Sequence, residues 1–133
     1  MENKKLIHLT TDLTQEESIR ATAEQIKEKY PIFDALIHCA AAISIQEPNA
    51  ITYEEMENLM KVNTFAPLFL TSQLFDLIKE NEADILNVGS TVGTKAYENQ
   101  ASYGASKWAL RGISLNLQTE LAKTKCRVIQ FNP

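Results

Sequence analysis

The sequence predicts an α/β fold built on a parallel sheet, and three observations carry that reading. Short apolar runs alternate with one-sided helical patterns along the chain. The run at 85–88 breaks at Gly89-Ser90, crosses a polar loop and feeds a helical stretch, which is half of a βαβ unit. Thr-x-x-Glu sequences at 14–17 and 52–55 mark two helix starts. Together they predict about four strands and three helices in one domain spanning 1–133.

Residues 5–10 (KLIHLT) read as a short buried strand, with His8 a packed core or edge histidine. Asp12-Leu13-Thr14 ends it, and 15–30 follow as a helix with Ile19, Ala23 and Ile26 on one face, closed by Pro31. Residues 33–42 (FDALIHCAAA) are a second buried strand running into small side chains, and 42–50 an irregular loop. A long helix follows from 52 to about 79. Within it Pro67 has no N–H, so the carbonyl of Asn63 loses its i+4 donor, and we expect the helix to bend there. A carbonyl freed in this way and facing the strand ends can hold a water; the alternative is a solvent-facing Asn63. The third strand is 84–89 and the last helix 100–123, where Ala101, Gly104, Ala105, Ala109 and Gly112 permit close packing. Trp108 is either a subunit contact or core. Residues 127–131 are the fourth strand.

One hundred and thirty-three residues suit a single core, and 44% hydrophobic with 23% charged residues is ordinary globular composition. The net charge of −4, without a Lys/Arg cluster, argues against nucleic-acid or anionic-membrane partners. No apolar run approaches the ~20 residues of a membrane span. Cys39 and Cys126 lie in apolar runs without metal-ligand spacing, so no metal is expected. They read as two buried thiols of a reducing, cytoplasmic setting rather than a disulfide.

The chemistry centres on Tyr103 and Lys107. Four apart, they stack on one helix face. A free phenol ionises near pH ~10 and serves poorly as a base at neutral pH, but an ammonium one turn away favours the phenolate. Ser90, at the carboxyl end of a strand, is placed to hydrogen-bond a substrate oxygen. A Tyr-x-x-x-Lys pair is a weak signal by itself in a chain with four tyrosines, and Ser90 taken alone is equally a turn or cap residue. The order strand, Ser, loop, helix with Tyr and Lys gives them weight.

NVGS at 87–90 and YGASK at 103–107, with Ser thirteen residues before Tyr, resemble the short-chain dehydrogenases/reductases of the classical type. The resemblance runs from about residue 5 to 133. It implies a Rossmann-like doubly wound parallel sheet and NAD or NADP as cofactor. It also implies a carbonyl or secondary-alcohol substrate of small size, and a dimer or tetramer formed through the two long helices. Tyr103 would be the acid/base, Lys107 would assist it and hold the nicotinamide ribose, and Ser90 would orient the substrate oxygen. Asn63, twenty-seven residues before Ser90, matches the family's Asn that anchors a proton-relay water. Asp12 matches an adenine contact, although an Asp beside a helix start needs no cofactor. Ala40 and Ala41 lie where the backbone approaches the cofactor, and Pro133 where a turn meets the nicotinamide. The other readings are a non-catalytic remnant serving as an oligomerisation or binding module, and sugar-nucleotide epimerase chemistry, which the Ser–Tyr spacing disfavours.

The chain departs from the family pattern in two places. His38-Cys39-Ala40-Ala41 stands where Asn-Asn-Ala-Gly is usual, and no glycine precedes residue 89, so the Gly-rich pyrophosphate turn is lacking. The expectation is a central fragment in which 5–10 pair in parallel with 33–40 and which alone binds no NAD(P) with useful affinity.

Overall fold

The computed structural model describes residues 6–133. Three parallel strands, β1 (Ala35–His38), β2 (Asp84–Val88) and β3 (Val128–Phe131), form one sheet in the order β1-β2-β3. The helices are α1 (Glu16–Lys29), α2 (Tyr53–Met60), α3 (Ala66–Glu80) and α4 (Ala101–Glu120). A π turn, Lys61–Phe65, joins α2 to α3, so the stretch expected as one long helix is continuous but widened in the middle. The Ala66 N–H donates to the Lys61 carbonyl five residues back. This is how the chain accommodates Pro67, which can donate no bond one residue later.

Register places Leu36, Ile85 and Val128 side by side. That row faces the core, where Ile85 packs with Leu74 and Ile78 of α3, Ala23 of α1, and Leu121. Each such large side chain, fully buried, contributes roughly 1.5–3 kcal/mol. α3 ends in a Schellman arrangement: Ala83 N–H reaches the Ile78 carbonyl and Glu82 N–H the Lys79 carbonyl. Glu82 sits at the left-handed position (φ 54°) that usually takes glycine. The Thr52 hydroxyl caps α2, accepting from the Glu55 N–H at 3.2 Å.

Several expectations are corrected. Residues 6–10 form no strand, and the free edge of β1 is unpaired among the described residues. The following segment is held by α1 instead: Thr11 bonds Thr22 at 2.5 Å and the Asp12 N–H reaches Ser18 at 2.8 Å. α1 in turn packs on α3. Leu6 and His8 are therefore exposed. Residue 5 lies outside the described residues. Thr14 does not cap α1: the helix starts at Glu16, so Gln15 holds the cap position, without a side-chain bond, and Thr14 lies one residue before it, its N–H and hydroxyl donating to Asp12 Oδ1. Cys126 is buried but Cys39 is exposed, since it follows the last paired residue of β1. Trp108 is half-exposed and stacked on Arg111, not core. The α/β parallel-sheet fold is as expected; among the described residues its main core lies on one face of the sheet, and Ile37, Ile129 and Phe131 on the other face are exposed.

Candidate active site

Because all three strands are parallel, the residues following each arrive at one end of the sheet: 39–42 after β1, 89–93 after β2, and 132–133 after β3. Ser90 opens a short turn, Thr91–Gly93, and its Oγ accepts from the Val92 N–H at 3.4 Å. The turn is fastened to the end of β3. The Ser90 N–H donates to Asn132 Oδ1 at 3.3 Å and the Thr91 N–H to the Pro133 carbonyl at 3.2 Å. Asn132 also accepts from Gln130 Nε2, and a Cβ on Gly89 would collide with both side chains, so position 89 must be glycine for this contact to form.

The turn lies directly on the first half of α4. A Cβ on Gly93 would come within 3.0 Å of the Lys107 carbonyl oxygen, and one on Gly104 within 3.3 Å of Val92. Tyr103 is buried against Val92 and Leu59. Lys107, only 2% exposed, crosses beneath the turn and donates from Nζ to the Val88 carbonyl at 3.1 Å. Its Nζ is 5.8 Å from the centre of the Tyr103 ring. Burial lowers the Lys107 pKa from its ordinary value, and a weaker Coulombic effect of Cys39 acts in the opposite direction. The helix thus brings the Tyr–Lys stack against the residues that flank Ser90.

Asn63 lies in the π turn, 1% exposed, with its amide committed to protein groups. Oδ1 accepts from the Ala42 N–H at 2.8 Å, while Nδ2 donates to the Ala42 carbonyl at 2.8 Å and to Ser106 Oγ at 2.9 Å. It ties the loop after β1 to α4. That loop is also joined to the segment before α4, where the Gln46 N–H meets the Asn99 carbonyl at 2.8 Å.

The other expected positions are looser. Cys39, Ala40, Ala41 and Pro133 are exposed at the same end of the sheet. Asp12 is exposed, and the Thr14 hydroxyl and N–H hold its carboxyl below the ordinary value. His38 turns inward to Thr71, with Nε2 2.9 Å from Oγ1, and burial lowers its pKa to about 4. Sequence reasoning missed Gln130, Thr64 and Ser106, and it placed Asn132 only as part of a turn with Pro133. The one available signal was Ser106, three residues after Tyr103 and hence on its helix face. Among the described residues no three His, Cys, Asp or Glu side chains gather as a metal site, and no helix is long and apolar enough to cross a membrane.

Over residues 1–133 the chain matches the family model described as short chain dehydrogenase. It is 29% identical to the NADP-dependent 3-hydroxy acid dehydrogenase YdfG of Salmonella typhi, over 86% of this chain and 48% of that protein. A putative short chain dehydrogenase from Pseudomonas syringae superimposes with a TM-score of 0.90 at 29% identity, over 99% of this chain and 57% of that one. A 4-hydroxyisoleucine dehydrogenase complexed with NADH and succinate gives 0.87 at 27% identity, over 94% and 59%. The chain spans about half the length of the curated relatives it matches.

Proposed function

Since the chain belongs to the short chain dehydrogenase family, we propose that it carries the reaction site of an NAD(P)-dependent oxidoreductase interconverting a carbonyl and a secondary alcohol. The observation that carries this reading is the Lys107 ammonium, buried under the Ser90 turn and one helical turn from Tyr103. A charged group held so deep needs a reason, and a proton-transfer site beside it supplies one.

The residues present suit the nicotinamide end of a dinucleotide. Cys39-Ala40-Ala41 is exposed and small, permitting close approach, with Pro133 and Lys107 at the same strand ends. The bound cofactor supplies or accepts the hydride. In the reducing direction the Ser90 hydroxyl bonds the substrate carbonyl oxygen, and the Tyr103 phenol gives its proton to that oxygen as negative charge develops. Lys107 keeps positive charge beside the phenol through the transfer. Asn63 holds the π turn whose backbone would anchor water leading toward Lys107. In oxidation the proton returns along the same route.

Tyr103→Phe tests the assignment, assayed by nicotinamide absorbance at millimolar NADPH so that weak cofactor affinity does not mask the chemistry. Turnover should fall by about 10²–10⁴-fold with cofactor affinity unchanged. Retained turnover would reject Tyr103 as the acid/base. No glycine precedes residue 89 within these 133 residues, so the 133-residue chain tested by itself offers no Gly-rich turn to the pyrophosphate. Titration of the 133-residue chain with NADH or NADPH should therefore show no saturation in the low micromolar range; saturable binding there would overturn this point.

A further inference from the structure

We propose that Ser106 is a positioning residue coupling the loop after β1 to the Tyr103 turn of α4. Its catalytic meaning rests on the oxidoreductase reading above; the coupling itself rests on geometry. Ser106 is fully buried, at 0% exposure. Its Oγ accepts from Asn63 Nδ2 at 2.9 Å and donates to the Tyr103 carbonyl at 2.7 Å. One hydroxyl makes both bonds at once, since it carries one proton and two lone pairs. The Ser106 carbonyl also accepts from Thr64 Oγ1 at 3.1 Å. Two successive residues of the π turn thus grip a single residue of α4.

The rest of the Asn63 amide holds the Ala42 N–H and carbonyl. A continuous hydrogen-bond path therefore runs Ala42–Asn63–Ser106–Tyr103, from the end of the exposed Cys39-Ala40-Ala41 segment to the backbone of the proposed acid/base. Without the Ser106 hydroxyl, one Asn63 N–H has no acceptor in an enclosed site, and the amide can satisfy it only by turning away from Ala42. The bond to Tyr103 alone, a common local helix contact, would leave Ala42 untouched. This difference makes the coupling testable.

The experiment is amide hydrogen exchange by NMR on the whole chain. In Ser106→Ala the Ala42 N–H should exchange roughly three- to tenfold faster, with the amides of β2 unchanged. Asn63→Ala should free Ala42 directly, and adding Ser106→Ala to it should change nothing further. Ser106→Thr, which keeps the hydroxyl, should restore protection; if Ser106→Ala does not fold, Ser106→Gly, which also lacks any side-chain hydrogen-bonding group, is read the same way. Unchanged Ala42 protection, or additive effects in the double variant, would overturn the proposal. Under the oxidoreductase reading Ser106→Ala also lowers kcat while leaving KM for ketone and NADPH in place. Retained turnover in Tyr103→Phe would sink that reading alone, and the exchange data would still decide the coupling.

Discussion

Lowering the pH from 7 to 5 should cost this fold about 2 kcal/mol through His38 alone. The ring is largely but not fully buried at the end of β1 against Thr71, and its pKa falls from 6.5 to about 4. The folded chain therefore holds a neutral imidazole at pH values where the unfolded chain has already protonated it. Stability from this source is complete above the unfolded value, declines as pH falls from 6.5 toward 4, and does not decline further below that. The full interval corresponds to about 3 kcal/mol, of which about 2 kcal/mol falls between pH 7 and 5. The Asp12 and Asp84 carboxyls are both held below their ordinary 3.8, so they stay charged throughout this window. Urea unfolding followed by circular dichroism measures the effect, with His38→Gln as the reference, because glutamine is neutral and can keep a bond to Thr71. Wild type should lose stability across the window and His38→Gln should remain level. Parallel decline in both, or a ring titration near 6.5 by NMR, would refute the reasoning.

Gly93→Ala should cost about 1–3 kcal/mol, because the new methyl meets the helix backbone at Lys107 rather than a side chain that can swing away; a urea midpoint equal to wild type would contradict that packing. Glu82→Gly should raise stability by about 0.5–1 kcal/mol, relieving the left-handed backbone at the end of α3 at the expense of an exposed pair with Lys125. A lower melting temperature in that variant would mean the ion pair outweighs the strain.

The Tyr103–Lys107 stack was legible because helix geometry fixes the relation of residues four apart, whatever the rest of the chain does. Ser90 was legible for a similar local reason: an apolar run that stops at Gly-Ser must end its strand there. Pro67 announced a disturbed helix, since its missing donor is certain from its identity, though it could not say that the repair would be a π turn. What Asn63 bonds was not readable, because Ser106 lies 43 residues away and the contact exists only once two helices have packed. Residues 5–10 misled because an apolar run reads as a strand whether or not an edge is within reach. Here the segment just after it is claimed by Thr22 and Ser18 of α1. Thr14 failed as a cap because the helix starts one residue later than the Thr-x-x-Glu spacing suggests, while Asp12, two residues earlier, takes both of its donors.

The sheet face bearing Ile37, Ile129 and Phe131, exposed by 57%, 42% and 56%, presents apolar side chains to water. Water against such a surface is displaced more readily as temperature rises, because apolar attraction weakens on cooling and strengthens on warming. Copies of the chain meeting through this face would gather on heating well before their helices melt. A concentrated solution should accordingly turn cloudy on gentle warming and clear again on ice, the reverse of ordinary precipitation from the cold.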